Sequence, residues 1–187
     1  MNQADSSPVN SRRLHIGSGK CYLPGFLNVD LFSNVKADAY HDMTSLPYAA
    51  GSFDLIYSSH VLEHQHRHMV LATLNHWHNL LARGGTLRLA VPNFEAICAH
   101  YSIHHDLPLL MGLLYGGQDS HLNRHTTTFD EFYLTDLLKK CGFVDIKWWD
   151  WRQTDHAEHD DFSQAYLPKM QKDGGRLMSL NLQGTKL

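Results

Sequence analysis

The segment His60-Val61-Leu62-Glu63-His64 puts two imidazoles and a carboxylate within five residues, directly after the apolar run Phe53 to Ser58. A neutral imidazole takes a proton near neutral pH, so His60, Glu63 and His64 are candidate catalytic residues for general base work. On a helix beginning at His60, positions 60, 63 and 64 share one face. The same letters match the HxxEH pattern of inverted zinc peptidases, in which both histidines hold metal and the glutamate activates water. That reading needs a third ligand from elsewhere and is a remote alternative; no metal is assigned.

A second constellation is Gly17-Ser18-Gly19, which stops the short apolar run Leu14-His15-Ile16, with Asp30 13 residues beyond Gly17. Glycines let a backbone approach a ligand closely, and an acid at the end of the next strand can accept hydrogen bonds from a ribose diol. A nicotinamide-dinucleotide fold needs about 20 residues there, with a full helix to hold pyrophosphate. Pro24 and Gly25 fall inside the shorter gap, so that helix is missing or reduced to a turn. A P-loop fails as well, because Leu14 stands where its first glycine belongs and Cys21 where Ser or Thr belongs. A nucleoside ligand without phosphates remains.

The elements that must position these groups follow from periodicity. Strands are expected at 14–16, 26–31, 37–43, 53–58, 86–92, 143–151 and 177–182. Val70, Leu74, Trp77 and Leu81 recur at helical spacing, with Gly84-Gly85 closing that helix. Helix signals return from Phe94 to Tyr101, and Thr128, Asp130 and Glu131 open another amphipathic helix. Strands alternating with helices imply a doubly wound, mostly parallel α/β sheet of seven strands, covered on both faces. No helix separates the last two strands, so these two should pair at one edge, with the last running antiparallel. Alternation puts Trp148 on one face and Trp149 and Trp151 on the other, as packing residues.

The chain has 187 residues, 43% hydrophobic and 19% charged, enough for one packed domain. Residues 1–13 read as a flexible segment and 14–187 as the domain, with 152–176 a long loop or lid. A net charge of -3 gives no general attraction for nucleic acid or a membrane surface, and no apolar run could span a bilayer. Cys21, Cys98 and Cys141 form no metal or disulfide pattern, which suits a reducing cytoplasm. A homodimer is left open.

Taken together, Leu14-His15-Ile16-Gly17-Ser18-Gly19, Pro24-Gly25-Phe26-Leu27-Asn28-Val29-Asp30, Leu46-Pro47-Tyr48, Ser52-Phe53-Asp54 and His60-Val61-Leu62-Glu63-His64 resemble the class I S-adenosylmethionine-dependent methyltransferases. The likeness is to small bacterial type-11-like members that read LNLGCG, PGFLNVD, LPF, SFD and HVLEH, and it spans about residues 14 to 150. It implies a Rossmann-like fold with a shortened first helix, and S-adenosylmethionine as cofactor. By the same resemblance, Gly17, Ser18 and Gly19 face the methionine part, and Asp30, with Leu31 beside it, holds the ribose. Asp42 and Met43 flank adenine, and Ser58, Ser59 and His60 lie nearest the methyl. The YGGQ segment, Tyr115 to Gln118, with His121 and His125, would shape the acceptor pocket. Cys21 departs from the third glycine of the usual turn. The implied activity is methyl transfer to a small-molecule or sugar-containing acceptor, with a weak lean toward surface-glycan synthesis. A methyltransferase-like module that binds cofactor without turnover is the alternative.

Overall fold

The computed structural model describes residues 12–168 and 171–187. Residues 1–11 of the expected flexible segment lie outside them, whereas Arg13 already belongs to the first strand. The elements are β1 (Arg13–Ile16), β2 (Leu27–Asp30), β3 (Ala39–Tyr40), β4 (Phe53–Ser59), α1 (Val70–Leu80), β5 (Leu81–Pro92), α2 (Phe94–His104), α3 (Leu107–Tyr115), α4 (Glu131–Lys140), β6 (Phe143–Trp148), β7 (Tyr166–Leu167), β8 (Arg176–Leu177) and β9 (Ser179–Lys186). Seven strands form one sheet in the order β3-β2-β1-β4-β5-β9-β6, and β7 pairs with β8 in a separate ribbon.

Strands β1 to β5 run parallel, while β9 is antiparallel to both β5 and β6. The last two strands of the sheet therefore pair antiparallel at one edge as expected, with β9 lying between β5 and the outermost β6. The central residues of β9 explain the place: Ser179 to Leu182 are all buried, as an inner strand requires. Strand β6 takes the edge, stops at Trp148 and leaves that tryptophan 43% exposed. Order reverses between β1 and β4, the topological switch point, so ligands belong at their carboxyl ends.

One face carries the main core. Leu14, Ile16, Ile56, Leu87, Leu89 and Leu182 pack there against Leu74 and Trp77 of α1 and Leu134 and Leu138 of α4. The opposite face carries a second, smaller cluster. Tyr57 and Ala90 on that side meet Leu23 and Phe26 of the β1–β2 connection and Trp149 of the segment after β6. Trp149 Nε1–H donates to Leu89 O at 2.8 Å, and Asn181 Nδ2–H to Ser163 O at 2.9 Å, which pins residues 149 to 163 across the sheet. His156 from that segment is 5% exposed, with its ring 4.6 Å from Tyr57.

The connection from β1 to β2 contains turns and no helix. The Asn28 side chain replaces it. Its Oδ1 accepts from His15 Nδ1 and Leu23 N, and its Nδ2–H donates to Leu23 O and Phe26 O, at 2.9 to 3.0 Å. Asn28 is fully buried, so every one of these bonds lies in low dielectric.

Three local expectations need correction. Helix α1 ends at Leu80, and left-handed Gly84 (φ 77°) belongs to the irregular start of β5. The residue that caps α4 is Asp130, whose carboxylate accepts from Tyr133 N, not Thr128. Helix α3 was not expected at all.

Burial lowers the His156 pKa from 6.5 to about 4. Below pH 6.5 the unfolded chain binds a proton that the folded chain refuses, so stability falls as pH drops from 6.5 to 4. Urea unfolding at pH 7 and pH 5 should show His156→Phe losing about 2 kcal/mol less than the parent over that interval. An equal loss would remove His156 as the cause.

Candidate functional site

The turns after β1 and β4 open onto one cavity of about 880 Å³. One wall is His15 and Gly17 to Cys21 with Ser59 and His60; the facing wall is Leu113, Gly116, Gly117, Asn123 and His125, with Asp161 and Phe162 between them.

The β1 turn is fixed by its backbone. Gly17 N–H and Ser18 N–H both donate to Val29 O, at 2.8 and 3.1 Å. Gly17 has φ 69°, and a Cβ there would overlap Val61 Cγ2, so only glycine fits. Asp30 Oδ2 accepts from Gly19 N at 2.7 Å and Oδ1 from Phe32 N at 2.9 Å. The carboxylate thus shapes the turn, and each oxygen keeps a second lone pair for a ligand. Ser18 Oγ and Ser59 Oγ are buried without a partner beside this turn, two hydroxyls that a polar cofactor would satisfy.

Other expected cofactor residues have structural duties. Ser58 Oγ–H donates to Ile16 O at 3.3 Å and braces β4 against β1. Asp42 is exposed, with Oδ1 accepting from Thr44 N and Oγ1; Met43 O accepts from Trp77 Nε1 at 2.8 Å. Leu31, next to Asp30, is 47% exposed. Asp30, Leu31, Asp42, Met43 and Ser58 are not among the lining residues.

The acceptor end is built differently from expectation. No α-helix begins at His60. His60 is a left-handed residue (φ 52°), a conformation that costs about 1–3 kcal/mol outside glycine, and Leu62–His64 is a single 3₁₀ turn. The kink aims His60 back at Glu63, with Nδ1 3.5 Å from Oε1, while its Nε2 meets Ser179 Oγ at 3.1 Å. Burial drives the Glu63 carboxyl up to about 8 and the His60 imidazole down to about 3, with His125 and His64 adding to the His60 shift. His60 is accordingly neutral at physiological pH and a much weaker base than an ordinary imidazole.

His125 Nε2 lies 3.8 Å from Glu63 Oε1. Its Nδ1–H donates to Leu113 O at 2.9 Å, and His64 Nδ1–H to Arg124 O at 3.2 Å. Of the expected acceptor residues, His125 lines the cavity. Tyr115, Gln118 and His121 are exposed and outside it; Gly116, Gly117 and Asn123 take their place. His15 was missed by sequence reading, whereas Asp161 and Phe162 lie in the 152–176 stretch expected there as a long loop or lid.

A family profile described as a methyltransferase domain matches residues 4–147. The chain belongs to that methyltransferase family. S-adenosylmethionine, the methyl donor expected from sequence, goes with this membership. Among solved structures, a SAM-dependent methyltransferase of Thermotoga maritima is similar at TM-score 0.59 and 15% identity, covering 94% of this chain and 82% of its own. A Burkholderia thailandensis 1,6-didemethyltoxoflavin N1-methyltransferase, solved with S-adenosylhomocysteine, gives 0.55 and 20%, covering 93% and 70%. A chain from the Haloferax volcanii complex of the Trm112 activator with a methyltransferase gives 0.57 and 15%, covering 96% and 84%. These likenesses show a shared fold. No curated protein matches the sequence.

Gly17→Ala should lower stability by about 1–3 kcal/mol and weaken S-adenosylhomocysteine binding at least tenfold, read by denaturation and calorimetry. Parental affinity in that variant would remove Gly17 from the cofactor turn.

Proposed function

We infer that the chain transfers the methyl group of S-adenosylmethionine to a small-molecule or sugar-containing acceptor held in the cavity of about 880 Å³. The observation that carries this is one chamber joining the β1 and β4 turns to the α3 wall. Its volume falls in the range of small-ligand sites, roughly 300–1,000 Å³. When bound, S-adenosylmethionine supplies a methyl carbon made electrophilic by its sulfonium. Displacement at that carbon removes positive charge, so the protein mainly aligns the partners and excludes water.

In this reading Gly17, Ser18 and Gly19 receive the methionine part, and Asp30 offers its remaining lone pairs to the ribose. The apolar surface of Leu31 suits the flat face of adenine, with Asp42 and Met43 near it. Ser59 gives its unpartnered hydroxyl to the cofactor near the methyl. His60 and His125 position the acceptor, and Phe162, 66% exposed, closes the mouth beside His60, its ring 5.3 Å away. A reducing compartment suits the exposed thiol of Cys98. The described residues contain no helix long and apolar enough to cross a membrane.

The test is calorimetry with S-adenosylhomocysteine, followed by detection of that product after incubation with S-adenosylmethionine and a panel of sugars and small hydroxyl compounds. Asp30→Ala should raise Kd at least tenfold. His60→Ala should leave Kd within twofold and lower turnover at least tenfold. Unchanged affinity in the Asp30 variant would overturn the ribose assignment, and binding without product across the panel would favour a module without turnover.

A further inference from the structure

Glu63 is 1% exposed, and both its carboxylate oxygens lack a hydrogen-bond partner. Its nearest polar neighbours, His60 Nδ1 at 3.5 Å and His125 Nε2 at 3.8 Å, are too far for a good hydrogen bond. His64 and His125 each hold a backbone carbonyl through Nδ1. A carbonyl oxygen only accepts, so Nδ1 of His125 carries the proton and its Nε2, the nitrogen nearer Glu63, keeps the lone pair. The Glu63 carboxylate and one nitrogen each from His64 and His125 lie within 4.8 Å of one another. Three groups able to ligate a cation thus converge in one place, around a buried carboxyl whose oxygens have no partner.

A small cation resolves this. Bonds of about 2.0–2.2 Å to imidazole and carboxylate place tetrahedral ligand atoms roughly 3.4 Å apart, so the 3.8 Å between Glu63 and His125 has to close by a few tenths of an ångström when an ion binds. Anchoring Nδ1 on a carbonyl is also how proteins orient imidazoles that bind metal through Nε2. We propose that Glu63, His64 and His125 bind one divalent transition-metal ion at the acceptor end of the cavity, and that the acceptor presents a hydroxyl to it. The ligand set differs from the HxxEH reading: Glu63 is a ligand, His125 replaces His60, and the chemistry is not hydrolysis. Two imidazoles and a carboxylate suit zinc, cobalt or nickel better than magnesium.

Three protein ligands leave coordination positions open, and His64 and His125 line the cavity, so those positions face the acceptor. A divalent ion lowers the pKa of a bound hydroxyl by several units. The acceptor O–H bond breaks and its proton leaves to water. The oxygen pair then forms the new C–O bond as the methyl–sulfur bond breaks, and that pair departs on S-adenosylhomocysteine. The acceptor class rests on the methyltransferase reading of the same cavity; the ion site does not.

The experiment titrates chelator-treated protein with Co²⁺ and follows its visible ligand-field absorption, with S-adenosylhomocysteine binding measured on the same samples. One equivalent should saturate the parent. Glu63→Gln and His125→Asn should each weaken Co²⁺ binding at least tenfold while keeping S-adenosylhomocysteine affinity within twofold. The double variant His66→Asn/His104→Asn, which removes exposed imidazoles, should bind Co²⁺ as the parent does. No saturable band in the parent, an unchanged band in both ligand variants, or loss of the band in the surface variant would overturn the site. A parent that binds Co²⁺ but not S-adenosylhomocysteine would keep the ion site and overturn the methyltransferase reading.

Discussion

The cofactor side of this protein depends on one buried amide. In a longer dinucleotide-type fold a helix after the first strand holds the glycine turn in place by packing. Here too few residues separate Gly19 from β2, and Asn28 does that work by hydrogen bonding. Its side chain joins His15 on β1 to Leu23 and Phe26 in the connection, while its backbone N–H and Nδ2–H both reach Asp38 Oδ2, at 2.7 and 3.2 Å. A fully satisfied amide in low dielectric specifies one geometry, because any displacement leaves a buried donor or acceptor alone. Asp30, two residues on, extends the same scheme to Gly19. Turn, strand pair and acid are one hydrogen-bonded unit.

The acceptor side is organised by electrostatics instead of satisfaction. Left-handed His60 and the 3₁₀ turn after it push a carboxyl group into a place where nothing donates to it. Thr126 N–H and Thr127 N–H both donate to the Glu63 carbonyl, at 2.8 and 3.2 Å, which locks the loop bearing His125 against it. Well-made backbone bonds thereby hold a poorly satisfied side chain. That combination is characteristic of sites arranged for a ligand, since strain of this kind persists only where the surroundings over-determine it.

Much of this was legible in sequence. Apolar runs broken by glycine located the strands, and the 13-residue gap from Gly17 to Asp30 excluded a dinucleotide helix. Periodicity reports burial along a segment, and it found α1 and α4 because each has one apolar stripe. It missed α3, whose apolar residues run all round, and it could not place β9 inside the sheet, because strand order is a long-range property. The strand alternation did put Trp149 inward, but Trp148 proved exposed because its strand is an edge. At the site, Gly17 and His125 line the cavity, while Asp30 and Glu63 lie behind its lining and bond or approach residues that do. The pairing of Glu63 with His125 across 62 residues has no local signal, whereas Asp161 and Phe162 stand out only through the length and polarity of the stretch that carries them.

The α2–α3 pair packs through its own small cluster, Ala96, Ile97 and Leu110 with Met178, apart from the cores on either face of the sheet. The α3 wall of the cavity therefore has packing of its own and is tied to the rest through Met178 and through the bonds of Thr126 and Thr127 to Glu63 O. Substitutions on the cavity side of α3 that spare these ties would change the shape of the chamber and leave the strand pairing as it is. In the proposed reading, such a layout separates the shape of the acceptor space from the glycine turn that would hold the methyl donor.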